Sequence, residues 1–427
     1  MNSRSFKITG IDWMPRLPAT WQCIRLKRVV ELVTDKTTGN NESRYIGLQN
    51  VESGTGRFLA GNAEQDAESS GIQFRRGDVL FGKLRPYLAK ALAPDFNGRC
   101  TSEMLVLRPK QIARRFLHHY CLSHPFVQLV DSSTFGAKMP RADWEFIGRM
   151  AVPLPPEEEA DAIAAFLDRE TARLDGLVAQ KEKLLALLEE KRASLIIHAV
   201  TRGLNPHAPT RPSGIPWLGN IPKHWEALPL RRRWQVYDCK HITAPFVDEG
   251  IPLASTTEVQ SLDLDLSRAA RTTPEFYERL IDGGRKPGRG DIIYCRNVTV
   301  GAAAFVNTDE QFAMGQDVCL IRSETENQRF LAYQMRSAAM QAQLGTILIG
   351  STFQRINVAE IKTLVVTIPP RHEQDAICQF LDPQMEKLSA IEAKLKTAIG
   401  LLRERRTALI SAAVTGQIDV RNWKAAA

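Results

Sequence analysis

The chain has 427 residues, of which 44% are hydrophobic and 24% charged, and its formal net charge is +8 at pH 7. This length and composition predict a folded protein of two to four domains and argue against a largely disordered chain. The positive charge favours an anionic partner only weakly, because many basic proteins bind no polyanion.

The N-terminal residues MNSRSFKITG contain no apolar run, so no signal peptide is predicted. No later stretch approaches the ~20 apolar residues that a membrane-spanning helix needs. The seven cysteines stand far apart and include no Cys-x-x-Cys pair, which argues against a zinc site or a disulfide framework. We therefore expect a cytoplasmic protein with no membrane partner.

The sequence of the first half of the chain is repeated, with substitutions, in the second half. The motif IDWMPRLPATW at 11–21 corresponds to IPWLGNIPKHW at 215–225, and Arg76-Gly77-Asp78 corresponds to Arg289-Gly290-Asp291. From Glu103 onward the two copies match at a constant offset of 214 residues. A repeat of this length predicts a duplicated domain, a pseudo-two-fold molecule, and two similar but unequal sites.

Each copy begins with a globular part, rich in glycine, proline and short apolar runs, that we predict to be mixed α/β. The predicted strands lie around 79–81, 104–107, 150–152, 292–294, 318–321 and 364–366. The predicted helices lie around 114–123 and 328–340. The order of strands within each part is left open.

A long heptad pattern follows each globular part. Pro155-Pro156 and the acidic turn 157–159 predict a helix N-terminus. Apolar residues then recur at alternating steps of four and three, which is typical of a coiled coil. The helices should cover about 157–199 and 373–413, and each should be ~60–65 Å long. Two separate surface helices are the alternative.

The heptad seam is predicted to be formed by apolar residues of both helices. Its members are Ile163, Leu167, Leu174, Leu188, Leu195, Ile377, Leu381, Leu388, Leu402 and Leu409. The same series also passes through Leu184 and Ile391. The segment 204–212 between the copies contains three prolines and is predicted to be a stiff linker.

The sequence contains no recognisable catalytic motif. No P-loop and no His-Glu-x-x-His are present. The Pro-Pro pairs are preceded by Leu154 and Ile368, not by the Asn or Asp of DNA amino-methyltransferases. His118, His119 and His124 point in different directions on a helix, so they do not predict a shared site. The chain is therefore interpreted as a binding scaffold and not an enzyme, with no metal or cofactor of its own.

These features, in the same order twice, resemble the specificity subunit of type I restriction–modification enzymes. The resemblance rests on the paired opening motifs, the paired Arg-Gly-Asp strands, and the loops GAKMPRADWEFIGRMAVPLPP and GSTFQRINVAEIKTLVVTIPP. It implies that each globular part is a target recognition domain that reads one half of a bipartite, asymmetric DNA site. The two helices then pack antiparallel and set the spacing between the readers.

The resemblance also implies partners. Two methyltransferase subunits bind the scaffold and bring S-adenosylmethionine, and restriction and translocation subunits that use ATP and Mg²⁺ join for cleavage of foreign DNA. The implied fold class is α+β, with two mixed α/β recognition domains separated by two long antiparallel coiled-coil helices. The boundaries are 1–154 and 213–368 for the recognition domains, 155–203 and 369–416 for the helices, 204–212 for the linker and 417–427 for the tail.

Two loops in each recognition domain are the candidates for DNA contact. The loop after the Arg-Gly-Asp strand contributes Lys83, Arg85, Tyr87, Arg296 and Asn297. The glycine loop contributes Lys138, Arg141, Thr352, Gln354 and Arg355. Arginine can bind guanine edges and Asn or Gln can bind adenine, whereas the alternative for each residue is a phosphate contact or a solvated charge. Arg141 and Arg355 are equivalent, so they can instead hold the loop or a phosphate.

The remaining residues that match between the two copies are interpreted as structural. The Arg-Gly-Asp motif is predicted to be a turn before a strand. Trp13, Trp21, Trp217 and Trp225 are predicted to pack the opening segments and not to stack on bases.

Two functions of other classes stay open from the sequence. One is a fused DNA methyltransferase, which binding of S-adenosylmethionine by the chain alone would reveal. The other is a coiled-coil adaptor that binds only proteins, which a DNA mobility-shift assay with the methyltransferase present would distinguish.

Overall fold

The computed structural model describes residues 4–37, 44–60, 70–136, 138–347 and 355–421. The chain divides into two compact units, Met1–Glu182 with Lys396–Ala427, and Lys183–Leu395. Each unit therefore combines one globular part with segments of both long helices.

The strands of the first unit are β1 (Phe6–Ile8), β2 (Arg16–Pro18), β3 (Gln22–Arg25), β4 (Val30–Val33), β5 (Lys36–Thr37), β6 (Tyr45–Ile46), β7 (Gly71–Phe74), β8 (Val79–Gly82), β9 (Ala91–Leu92), β10 (Gly98–Cys100), β11 (Met104–Pro109) and β12 (Ala151–Leu154). The unit is built on an antiparallel sheet with the strand order β4-β11-β8-β9. A second sheet has the order β5-β7-β10-β6, and β12 pairs with β3. The helices are α1 (Arg114–Leu122), α2 (His124–Ser132), α3 (Trp144–Arg149) and the first part of α4 (Glu157–Arg202).

The central strands β8 and β11 are buried on both faces, which explains why Val79–Phe81 and Met104–Leu107 are uninterrupted apolar runs. Successive side chains of a strand point to opposite faces. Leu105 and Leu107 of β11 share a core with Phe116 of α1. Met104 and Val106 instead share a core with residues of the second sheet.

The strands of the second unit are β13 (Thr210–Pro212), β14 (Asn220–Pro222), β15 (Glu226–Pro229), β16 (Gln235–Asp238), β17 (Ile251–Ala254), β18 (Arg271–Thr272), β19 (Ile292–Cys295), β20 (Ala303–Phe305), β21 (Ala313–Met314), β22 (Val318–Arg322) and β23 (Val365–Ile368). They include a sheet of order β16-β22-β19-β20 and a three-stranded sheet of order β18-β17-β21. The helices of this unit are α5 (Pro274–Ile281), α6 (Gln328–Met335), α7 (Ala338–Ile347), α8 (Val358–Thr363) and α9 (Arg371–Val414), with the end of α4. The alternation recurs, because Ile292 and Ile321 lie in one core while Ile293 and Leu320 lie in another.

Two predictions need correction in the second unit. The helix predicted over 328–340 is interrupted at Arg336, whose guanidinium donates to the carbonyls of Gln260 (2.7 Å) and Ala303 (3.0 Å). The linker predicted over 204–212 is not wholly a linker, because Thr210–Pro212 forms β13 and pairs antiparallel with β14.

The segments of α4 and α9 pack antiparallel within each unit. In the first unit, Arg406 binds Asp175 at 2.9 Å and Arg403 binds Glu182 at 2.8 Å. The later residue of α4 therefore pairs with the earlier residue of α9, as expected for antiparallel helices. In the second unit, Arg192 binds Glu392 at 3.0 Å. This packing fits a coiled coil. None of the described helices combines the length and the apolar character that crossing a membrane requires.

The predicted seam residues differ in burial. Those that are at most 5% exposed are Ile163, Leu167, Leu174, Ile377, Leu381 and Leu388. Those that are half-buried are Leu188, Leu195, Leu402 and Leu409. Leu184 and Ile391 are 43% exposed, so the heptad series does not keep these two positions inside. A straight α-helix drifts by ~20° per heptad, which turns such positions out of the seam.

Candidate nucleic-acid interface

The opening segment of each unit is fixed to the first turn of a long helix. The indole N–H of Trp21 donates to Glu159 at 2.8 Å, and that of Trp225 donates to Glu373 at 2.9 Å. Both rings are at most 1% exposed. Trp21 and Trp225 are therefore packing anchors, as predicted, and they are not available for base stacking.

The Arg-Gly-Asp motifs form structural turns. Asp78 accepts from the backbone N–H of Arg75 at 2.9 Å and from Arg108 at 2.9 and 3.0 Å. Asp291 accepts from the N–H of Gly288 and from Arg322, both at 2.8 Å. The hydrogen bonds that Arg108 donates to Asp78 raise the pKa of the Arg108 guanidinium. These turns position the strands β8 and β19, from which the candidate DNA loops emerge.

The two candidate loops of the first recognition domain meet side by side. Leu84 and Arg141 form an antiparallel bridge. The N–H of Arg85 donates to the carbonyl of Pro140 at 2.8 Å, and the N–H of Ala142 donates to the carbonyl of Lys83 at 3.0 Å. Residues almost 60 positions apart in sequence thus form one surface.

The side chains on this first surface differ in solvent exposure and in the hydrogen bonds that they already form. Arg85, Lys138 and Tyr87 are exposed, Tyr87 by 52%, whereas Lys83 is half-buried. Arg141 is exposed, but Glu103 already accepts its Nε and Nη2 hydrogens at 3.0 and 3.1 Å. This pairing favours a role of Arg141 in holding the loop.

The equivalent loops of the second unit also meet. Asn297 and Arg355 form an antiparallel bridge, and the N–H of Ile356 donates to the carbonyl of Arg296 at 2.9 Å. Arg355 is exposed. Thr352 and Gln354 lie outside the described residues.

Two side chains of the second unit that were predicted to contact DNA instead bind other residues of the protein. Arg296 is 4% exposed, and its guanidinium lies 2.8 Å from Asp238. The side chain of Asn297 donates to Asp317 at 3.2 Å and accepts from the N–H of Val298 at 3.0 Å. Arg296 does not present its donors to a DNA groove in this conformation, so it is left out of the contact set that we propose below.

Comparison with known proteins shows similarity to one family. A sequence profile described as "Type I restriction modification DNA specificity domain" matches residues 267–400. The type I restriction enzyme EcoDI specificity subunit of Escherichia coli is 24% identical over 190 residues, which are 44% of this chain and 43% of that protein. The MjaVIII specificity subunit of Methanocaldococcus jannaschii is 23% identical over 336 residues, 76% of each chain.

A solved structure agrees in fold. A chain from "Structural basis underlying complex assembly and conformational transition of the type I R-M system" superposes with a TM-score of 0.73 at 19% identity, over 94% of this chain and 99% of that chain. In sequence and in fold the chain is thus similar to type I restriction enzyme specificity subunits. The recognition made from the paired sequence motifs is therefore confirmed.

The sequence analysis did not find the exposed apolar side chains of the candidate loops. Phe135 is 82% exposed, Met139 is 46% exposed and Val298 is 69% exposed. These side chains form no hydrogen bonds, so a pattern of polar base readers does not include them. Their position between polar loop residues was the available signal, since apolar residues in a short polar loop have no core to fill.

One group in the second unit has the side chains of a metal site. Ligand atoms of Asp238, Cys239 and His241 lie within 4.8 Å of one another. However, Asp238 is paired with the Arg296 cation, and burial raises the pKa of the Cys239 thiol to about 11. The thiol also donates to the carbonyl of Gln316 at 2.9 Å. A protonated thiol beside an arginine is a poor metal site, so we do not assign one.

Arg406 of α9 fixes a loop of the first recognition domain to the helix pair. It is 8% exposed and donates to the carbonyls of Gly54 at 2.6 Å and Thr55 at 3.2 Å, as well as to Asp175 at 2.9 Å. A buried guanidinium whose donors are spent on backbone carbonyls gives a rigid attachment. The loop at Gly54 and Thr55 is thereby attached to the helix segments of the first unit.

Proposed function

We propose that this chain is the DNA specificity subunit of a type I restriction–modification complex. Residues 1–154 and 213–368 each read one half of a bipartite DNA target. The helices at 155–203 and 369–416 set the spacing between the halves and carry two methyltransferase subunits. The two recognition domains derive from a duplication, with 204–212 between the copies and 417–427 as a tail.

One observation carries the proposal for an asymmetric target. The sheets β4-β11-β8-β9 and β16-β22-β19-β20 have the same order, and each places two loops together beyond the third strand. At matched places on these loops the first domain has Arg85 and the second has Val298. A common frame with different side chains at its tips supports the reading of two different base sequences.

The DNA-contacting set that we propose is small. It consists of the exposed residues Arg85, Tyr87, Lys138 and Arg355, with Arg141 and Asn297 holding the loops in place. Thr352 and Gln354 remain candidates from the sequence. Lys83 is a candidate for a phosphate contact, since its half-buried position leaves only the end of a long side chain to reach outward.

The chemistry of the complex is proposed to reside on its partners. S-adenosylmethionine binds the methyltransferase subunits, and ATP and Mg²⁺ serve the restriction and translocation subunits. The specificity subunit contributes no catalytic group, and the complex acts on DNA in the cytoplasm.

The test is reconstitution with the cognate methyltransferase subunits. The expected result is methylation of a gapped, asymmetric motif, and tight DNA binding that weakens steeply as salt rises because phosphate contacts release counterions. S-adenosylmethionine binding by the isolated chain would favour a fused methyltransferase instead. A complex that assembles but binds no DNA would favour the coiled-coil adaptor.

A further inference from the structure

The tip of the β19–β20 hairpin holds a valine in an unfavourable backbone conformation. Val298 has φ of 61°. The N–H of Thr299 donates to the carbonyl of Asn297 at 2.6 Å, so Val298 is the central residue of a three-residue turn. Turns of this kind with a positive central φ are rare and strained, and a β-branched residue there is an outlier.

Val298 gains nothing from packing that would offset this strain. Its side chain is 69% exposed, and it belongs to none of the hydrophobic cores of the described residues. Glycine or asparagine would adopt the same φ at lower cost. Strain that folding does not require points to a function of the side chain itself.

The first unit has a strained residue at the matched position. Arg85 has φ of 50° and is the third residue after β8, as Val298 is the third residue after β19. In each case the preceding residue bridges to an arginine of the neighbouring loop, Leu84 to Arg141 and Asn297 to Arg355. The two positions are therefore structurally equivalent, although one holds a cation and the other an apolar group.

The turn that carries Val298 is held rigidly. Asn297 accepts from the N–H of Val298 at 3.0 Å and donates to Asp317 at 3.2 Å. The Arg296 backbone is bonded on one side to Asp317 at 2.9 Å and on the other to Ile356 at 2.9 Å. A short apolar side chain is thus presented outward from a fixed support, which lowers the entropy cost of a contact.

We propose that Val298 determines specificity in the second half-site by contacting the 5-methyl group of a thymine. This inference rests on the proposed function. The thymine methyl is the apolar feature among the base edges of the major groove, and apolar side chains select it. The branched side chain is too short to act as an intercalating wedge between bases, for which larger groups are used.

The test uses the complete complex of the chain with its methyltransferase subunits. The DNA is a duplex that contains the motif which this complex methylates. Each thymine of the second half-site is replaced singly by deoxyuridine, which removes only the methyl group. One of these replacements should weaken binding about threefold to tenfold, since a buried methyl is worth roughly that factor. The effect on binding of replacing a thymine in the first half-site should be the same whether residue 298 is valine or glycine.

The variant Val298→Gly should bind the thymine and deoxyuridine duplexes equally, with its affinity for the rest of the site retained. It should also unfold at the same or a higher temperature, because glycine relieves the strain. Ala89→Gly is the matched control, since Ala89 also has a positive φ of 47° in the first unit. This variant should keep the full thymine–deoxyuridine difference.

The outcomes separate this inference from the proposed function. A complex that binds no gapped site contradicts the proposed function. If the complex binds its site but no thymine of the second half-site depends on its methyl group, Val298 does not read thymine. The same conclusion follows if Val298→Gly still distinguishes thymine from deoxyuridine, or if the second half-site contains no thymine.

Discussion

Single residues of the recognition loops differ mainly in what already binds them. Arg85 has an exposed side chain on a strained backbone, whereas Arg141 is held by Glu103 and Arg296 by Asp238. A guanidinium with free donors can form two hydrogen bonds with guanine, but one that is already paired must first lose its partner. This difference leads to distinct expectations for the three arginines.

Replacing Arg85 with alanine should weaken binding of the reconstituted complex to its site by about 1–3 kcal/mol and relax selection at one base pair of the first half-site. The measurement is a competition assay with a randomised first half-site. Arg141→Ala is the matched comparison, and it should lower affinity more evenly across sequences. If Arg85→Ala leaves the base preference unchanged, Arg85 contacts phosphate and not a base.

Replacing Arg296 with alanine should act on stability and not on base choice. The change leaves the partly buried carboxylate of Asp238 without its cation, at a cost of about 1–3 kcal/mol. Urea denaturation of the chain measures this loss. The exposed Arg355 is the control, and Arg355→Ala should change stability by less than about 0.5 kcal/mol. Equal stability of the two variants would contradict the structural role of Arg296.

His118 should make the first unit less stable in mild acid. Burial, and then the neighbouring His119, lower the pKa of His118 to about 3. Because the folded pKa lies below the unfolded value of about 6.5, the unfolded chain takes up a proton first as the pH falls.

The free energy of unfolding should therefore drop between pH 6.5 and pH 3. Over the first two pH units below 6.5 the drop should be about 1–2 kcal/mol, because partial solvation of the ring reduces the full effect. His118→Gln should remove this part of the pH dependence, measured by urea denaturation. The exposed His207 serves as the control. A His118→Gln profile that matches the parent would show that His118 does not titrate in this way.

The elements show where the sequence was sufficient. The six predicted strands correspond to β8, β11, β12, β19, β22 and β23, which were predictable because each is a short, mostly apolar run. Short polar strands such as β5 (Lys36–Thr37) and β13 (Thr210–Pro212) carry no such pattern and were not predicted. The interruption after α6 was not predicted because the apolar pattern continues past Arg336. The hydroxyl of Ser337, which accepts from the N–H of Met340 at the start of α7, is the local feature that marks it. The meeting of Leu84 with Arg141 is instead a tertiary contact that a single sequence does not encode locally.

The helix seam gives a test at this scale. Leu174 is 1% exposed and Leu184 is 43% exposed, although both fit the heptad series. Leu174→Ala should lower the free energy of unfolding by about 2–4 kcal/mol because it opens a cavity, and Leu184→Ala should cost less than about 0.5 kcal/mol. Thermal or urea denaturation distinguishes them. Equal losses would mean that burial along α4 is not as the structure shows.

At the scale of the whole molecule, the central claim is that base reading and spacing are separable. Under the proposed function, local loop contacts read base identity, whereas the helices and the segment between the copies set the gap. Residues 210–212 belong to β13, so an insertion meant to alter only the gap belongs at 204–208. The same sheet frame in each unit explains how loops can change without loss of the fold.

The most direct measurement is methylome sequencing of cells that carry a domain exchange. Residues 1–154 are replaced by the corresponding part of a relative, and the chimera is expressed with its methyltransferase subunits. The account predicts that one half of the methylated motif changes, while the other half and the gap stay the same. A chimera that methylates a motif changed in both halves, or unchanged in both, would contradict it.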